Sequence, residues 1–427
     1  MVGQLQRKLF VLFFGVVWLP IWGDCQPVPV GTWPNMTGGV SNGPASQGLT
    51  LSAGQSISVT SNLSIISDDD LVIRGRICLP QATPGSSGVN LTLVSSHGKV
   101  LVDDGAIVGA GGADVGNGGK ITIDGILVEI RGFVFGNKGG SPSGNIQNDG
   151  YVGKTGGTGG DIVLIGVDGI SIGKIRRKPF FCVEAGDGGN GERVDVSGNN
   201  NTTVTGGTGG KGGDVIFEVR PNSGPKKVTV TIIENVAGGT GGTGGFAIAK
   251  STLAAKSGNA TSTGGKGGPG GTVEFPSALV DPPPAGKLVV AGNGGKGGTG
   301  SATGGNGSNA WFFSGDAGGN ATVTGGNGSP AGSVPVIPLL FGSTLNGFPG
   351  FGGGGGDASG ISGNGGNGTT RSFFVFTTNG GPSGISAVTG GPNAAGTKAP
   401  VVAPKGPATT TVVTGATGMT NFAAGQP

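Results

Sequence analysis

A single histidine, His97 in "SSHGK", is the natural place to begin a search for chemistry in this chain. One histidine rules out a multi-histidine metal centre, and any Ser-His-Asp arrangement would have to use this residue. The carboxylates offer two close groups, Asp68 to Asp70 and Asp103–Asp104. Glycoside hydrolysis needs two carboxylates facing one bond, and strand-like sequence flanks both groups, which marks them as turns. The histidine precedes Asp103–Asp104, and no Arg-Ile-Lys motif follows them. The residues therefore predict no catalytic site and no enzyme. A corner or surface role is expected for His97.

Metal and cofactor chemistry fare no better. "GGTGGDIVL" (156–164) and "GGKGGDVIF" (209–217) match the nonapeptide of calcium-binding rolls. Consecutive nonapeptides must share each ion, however, and these two stand alone, while "GGNGERVDV" breaks the pattern at Arg193. Asp161 and Asp214 are instead expected to bind backbone N–H groups where strands begin. No cysteine pair has zinc-ligand spacing, and no cofactor or metal is predicted. Of the three cysteines, Cys78 ("RICLP") and Cys182 ("FFCVEAG") lie in apolar strand-like contexts. They are candidates for one disulfide, with two separate buried thiols as the alternative.

Ten asparagines stand in N-x-[ST] acceptor sites: Asn35, Asn62, Asn90, Asn200, Asn201, Asn259, Asn306, Asn320, Asn327 and Asn367. That is about twice the number expected by chance for this composition and leans toward a glycoprotein. Ice binding would require a flat, regular threonine array, and "NTTVTGGTGG" does not read as a regular repeat.

The elements that must position these residues are strands. The chain has 427 residues, 100 of them glycine, and only 11% are charged, against about 25% in ordinary domains. The glycines fall in G-G-x islands with no sustained G-x-y period, which excludes collagen. Between the islands, "NLSIISDDDLVIRGRICLP", "KITIDGILVEIRGFVFG" and "KVTVTIIENVAG" carry enough Val, Ile and Thr to pack, which excludes disorder for most of the chain. No amphipathic helix is legible, so the fold class is all-β.

The islands recur in a fixed context. Apolar strands end near Ala-Gly at Ala110, Ala185, Ala237 and Ala291. Glycine tracts then close on "GGKITI", "GGDIVLI", "GGDVIFEV" and "GGTVEF". Repetition at tens of residues with short strands predicts a parallel β-helix (β-solenoid) whose glycine-rich insertions leave and rejoin the stack at corners. The stretches "VEAGDGGNG", "GGTGGKGGDVIFEV" and "GNGGKITIDG" resemble the coils of glycine-rich β-helical surface proteins, including filamentous-haemagglutinin-like adhesins. The resemblance spans roughly residues 57–300 and implies the fold.

The expected organisation is a signal peptide over 1–25, since Arg7 and Lys8 precede an apolar run. A flank or cap follows over 26–55, then the solenoid with its insertions over 56–300. A Gly/Asn-rich continuation or cap covers 301–395, and a disordered Pro/Thr/Ala-rich tail 396–427. The net charge of +3 is dispersed, so nucleic acid is not an expected partner, and no membrane span is expected after signal removal. The expected function is that of a secreted, non-catalytic structural or adhesive protein of an extracellular surface. Its partners would be glycans or other copies of itself. The alternative is a carbohydrate-binding or polysaccharide-degrading β-helix.

Overall fold

The computed structural model describes residues 40–42, 48–390 and 410–414, except for 59–60, 79–87, 110–115, 143–149, 174–180, 199–200, 221–228, 252–257, 277–278, 282–288, 307–318, 335–336, 339–343, 346–347, 349, 363–369, 372–375 and 378–384, with residue 390 also excluded. The signal peptide expected over 1–25 lies outside the described residues, as do Asn35, Asn200, Asn367 and Ala110.

The described residues are all-β, with several parallel sheets and no helix. Alternation is why the strands form. Leu63–Ser67 and Leu91–Ser95 bury every second side chain, with Leu63 and Ile65, then Leu91 and Leu93, inward and a buried serine closing each strand. Sheet A, with 12 strands, has two arms, and sheet B has seven strands. The chain passes through first arm, second arm and sheet B in that order. One such passage is Leu63–Ser67, Leu71–Ile73 and Arg76–Cys78. The next is Leu91–Ser95, Lys99–Val102 and Ile107–Gly109. In Ile121–Ile130 and Ile162–Ile172 the two arms fuse into one long strand.

Parallel, in-register pairing lines identical environments up into files. Leu63, Leu91, Ile121, Ile162, Val215 and Val273 are successive partners in the first arm, and each is buried. The adjacent file, from Ile65 through Leu93, Ile123 and Leu164, ends on Phe217. Phe217 stacks on Phe275 with ring centroids 4.7 Å apart and planes 5° from parallel. These files and the inward residues of sheet B make one continuous apolar core. Repeating this burial in every passage supplies the main favourable term for folding.

A second, smaller core lies between sheets C and D. Sheet D contains Val194–Gly198, Ala247–Ser251, Gly300–Thr303 and Ala358–Ile361. Sheet C runs from Tyr151–Val152 through Thr202–Thr205, Ala260–Thr263 and Ala321–Thr324 to Ile385–Thr389. Its buried residues are small: Val194, Val196, Val204, Ala247, Ala249, Ala260, Ala302, Ala321 and Val323. Strands beyond residue 300 thus continue sheets that begin well before it. Within the tail expected to be disordered, Thr410–Thr414 pairs antiparallel with Ile385–Thr389. The strand reads TTVVT, is β-branched throughout and suits that edge.

Candidate functional site

The glycine tracts connect the two cores. They leave sheet B after Val183–Glu184, Val236–Ala237 and Val289–Val290, and end where the strands of sheet D begin. They return from sheet C to sheet A, so outgoing and returning tracts form two layers. None of their residues is a strand residue, yet their hydrogen bonds are orderly. Gly189 N–H donates to Gly157 O at 2.8 Å, Gly210 to Gly189 at 2.7 Å, and Gly242 to Gly210 at 2.8 Å. The same zigzag continues from Gly268 to Gly242, from Gly295 to Gly268, from Ser329 to Gly295 and from Gly353 to Ser329. Two further ladders run beside it, one three residues to either side, through Gly186–Gly213–Gly239–Gly271–Gly292 and Gly207–Gly245–Gly265–Gly298–Gly326. The first glycine of each G-G-x triplet bonds within its own layer, as Gly241 N–H does to Asn293 O at 2.8 Å. A period of three is that of an extended polyproline-II helix, which has no internal hydrogen bonds and must find them in its neighbours.

At positions such as Gly242 and Gly268 only glycine fits this packing. A Cβ on Gly242 would lie 1.9 Å from Gly189 O, and one on Gly268 1.9 Å from Gly210 O. The third residue of each triplet points outward, and its N–H is often held by a side chain from the previous passage. Asp187 Oδ1 accepts from Thr240 N–H, Asn190 Oδ1 from Thr243 N–H, and Asn293 Oδ1 from Phe351 N–H. Asp161 and Asp214 act in the same way. Asp161 Oδ1 accepts from Asp214 N–H at 2.8 Å, and Asp214 Oδ1 from Thr272 N–H at 2.7 Å. Both acceptors serve the backbone at strand starts, as their position in the sequence predicts. Among the described residues no group of three or more His, Cys, Asp or Glu clusters as a metal site.

The acidic groups are corner devices. Asp68 Oδ1 lies 2.9 Å from His97 Nδ1, an exposed pair. Asp70 Oδ1 accepts from Lys99 N–H at 2.8 Å, and Ser95 Oγ donates to Asp69 O. Asp103 meets Arg74 Nε at 3.1 Å through one oxygen and caps Asp104 N–H with the other. Asp68–Asp70 turn the chain between the two arms of sheet A, while Asp103–Asp104 turn it toward sheet B. The two groups therefore belong to different corners.

The candidate disulfide is corrected. Cys182 is a buried, reduced thiol, while Cys78 is disulfide-bonded, so the two are not bonded to each other. Cys182 immediately precedes Val183–Glu184, three strand steps along sheet B from Arg76–Cys78. At roughly 4.8 Å per step the gap is about 14 Å, twice what a disulfide can bridge.

The acceptor asparagines take on a second identity. Asn62 Oδ1 accepts from Asn90 N–H at 2.9 Å, and Asn90 Oδ1 from Lys120 N–H at 2.8 Å. On sheet C, Asn201 Oδ1 accepts from Asn259 N–H at 2.9 Å, and Asn259 Oδ1 from Asn320 N–H at 2.8 Å. Each of these asparagines is exposed at a corner. An inward residue follows it, then an outward Ser or Thr: Asn90, buried Leu91, outward Thr92. Such a corner writes N-x-[ST] whether or not a glycan is attached, which accounts for part of the excess. Asn306 and Asn327 are exposed beside the glycine tracts.

Sequence reasoning missed Glu192, which is buried in a lattice position where the other tracts carry glycine. Its Oε2 accepts from Tyr151 OH at 3.0 Å and from Lys154 N–H at 2.7 Å, so the carboxylate plugs the end of the bundle. Desolvation, this hydrogen bond and the Glu192 charge raise the Tyr151 phenol. The legible signal was phase, because Gly186, Gly189 and Glu192 are three residues apart. Glu184 is also raised, first by desolvation and then by the charge of Asp187.

No protein-family model matches the chain, and no curated protein matches it. Among solved structures, the nine polyproline type II helical bundle springtail antifreeze protein from Granisotoma rainieri is similar at 21% identity, over 50% of this chain and 95% of that one. The TM-score is 0.11, too low to bear on fold or function.

Proposed function

We propose that this chain is a secreted, non-catalytic structural or adhesive component of an extracellular surface such as a wall, coat, matrix or adhesin. Its chain winds as a parallel β-helix with glycine-rich insertions. The observation that carries this reading is the glycine lattice, in which the tracts that join the two cores are bonded to their neighbours by backbone N–H and C=O groups. Such a frame resists bending and keeps two broad flanks at a fixed separation. The weakly charged outer residues of the tracts can contact glycans or further copies of the chain. The carboxylates that a polysaccharide-cleaving site would use, Asp68, Asp70 and Asp103, are engaged in corner bonds to His97, Lys99 N–H and Arg74.

Immunolocalisation on intact cells, before and after deglycosylation, tests the reading. Surface staining that survives a salt wash is expected. Purely intracellular staining would overturn it, as would hydrolysis of a polysaccharide that Asp68→Asn and Asp103→Asn abolish.

A further inference from the structure

The outer face of sheet C carries threonine along most of two straight rows, the second of which starts at exposed Val152. Thr203, Thr261 and Thr322 are successive partners, followed by Ala387. Two residues further along each strand, Thr205, Thr263, Thr324 and Thr389 form the second row. The residues between them (Val204, Ser262 and Val323) are buried, so alternation turns all seven threonines outward. Pairing shows no register shift. Strand spacing and the two-residue repeat then place methyl and hydroxyl groups on a grid of about 4.8 by 6.7 Å.

Strand propensity alone does not require this. Sheet D stacks on the same frame with the same register, yet its equivalent outward files read Asp195, Ile248, Ser301 and Ser197, Lys250, Thr303. The outward files of sheet D are chemically mixed, whereas those of sheet C hold threonine at seven places, with Val152 at the head of one row and Ala387 at the end of the other. A soluble sugar or peptide has no two-dimensional lattice for such a grid to match, and the amides of the neighbouring Asn201, Asn259 and Asn320 row already give their oxygens to the backbone of the next strand in two of three cases. A crystalline face does have such a lattice.

We propose that the threonine grid of sheet C binds ice. The rows of oxygen atoms on a prism face of hexagonal ice repeat along two perpendicular directions, and the threonine grid is rectangular in the same way. Hydroxyls can take water positions in that lattice while the methyls occupy its hollows. Branching at Cβ restricts χ1, so little side-chain freedom is lost on binding. No charge in either row has to be desolvated. The glycine ladders hold the strands at constant spacing, which a lattice match requires. This goes beyond the structural reading, and failure on ice would leave that reading untouched.

The test is ice-recrystallisation inhibition and thermal hysteresis by the full chain, with fluorescently labelled protein followed on a single ice crystal. Inhibition, and adsorption confined to particular crystal planes, are expected. Thr261→Lys, at the centre of the first row, should lose both, while Lys250→Ala on sheet D keeps them. Circular dichroism checks folding, and Thr322→Tyr serves if Thr261→Lys does not fold. A native chain without effect on ice growth overturns the proposal, as does a folded Thr261→Lys that remains active. Thr261-dependent adsorption to insoluble crystalline polysaccharide, with ice unaffected, would reassign the face and equally overturn it.

Discussion

The apolar core of sheets A and B and the glycine lattice stack the same chain at the same interval by opposite means. In the core, side chains do the work: files such as Ile65–Leu93–Ile123–Leu164–Phe217 exclude water, and backbone bonds follow the strands. In the lattice the backbone carries most of the bonding, with N–H and C=O groups buried against one another in three ladders and side-chain acceptors such as Asp187 and Asn190 holding only outward residues. Glycine loses more freedom on ordering than any other residue. The lattice can therefore be ordered only where every buried polar group finds its partner and where both ends are anchored in β-structure. Two cores, one at each end of the tracts, meet that second condition.

The sharpest way to probe the difference is to change volume in each region. Phe217→Ala removes a stacked ring from the core and is expected to cost about 3–5 kcal/mol in denaturant unfolding. Gly242→Ala adds one methyl and is expected to cost about 3 kcal/mol, because the methyl overlaps Gly189 O and the backbone must shift. Exposed Thr243→Ala, one residue away, should stay within about 0.5 kcal/mol. If Gly242→Ala were as mild as Thr243→Ala, the tracts would be loose loops and the comparison would collapse.

The core was legible in sequence because its signal is local: period-two alternation in "LSIIS" and "LTLVS", and Ala-Gly exits at Ala185, Ala237 and Ala291. The second core was not, because Ala and Thr strands of four residues carry little hydrophobic signal, and their partners lie about sixty residues away. The threonine rows were hidden for a related reason. "NTTVT", "NATST" and "NATVT" look irregular until Asn201, Asn259 and Asn320 are aligned as one corner. The shared pattern is then N-[TA]-T-[VS]-T. Cys182 misled in the other direction, since two apolar contexts say nothing of the strands between them.

The corner asparagines sharpen the comparison at its boundary, where a side chain completes the backbone's bonding. Asn259→Ala leaves Asn320 N–H without its acceptor and is expected to cost about 1–2 kcal/mol. Asn259→Asp keeps an oxygen there and should cost less. Both variants remove the acceptor site, so mass spectrometry of the secreted chain would lose any glycan at that position equally. Equal stability losses in the two variants would mean that a glycan, rather than the ladder bond, is what Asn259 contributes.

The smallest effect is expected at Glu184, where the core hands over to the lattice. Burial and the neighbouring Asp187 raise its carboxyl, so the native state holds that proton more tightly than the unfolded chain does. Ionisation at neutral pH therefore works against folding. The penalty is relieved as pH falls through the raised native value, and it is gone below the ordinary glutamate range near about pH 4. Glu184→Gln should then melt slightly higher than the native chain at pH 7 and coincide with it once both are uncharged. Thermal melts at the two pH values check this. A constant offset at both would mean that the side chain acts through packing, and that the junction behaves like the apolar core rather than like the polar lattice it adjoins.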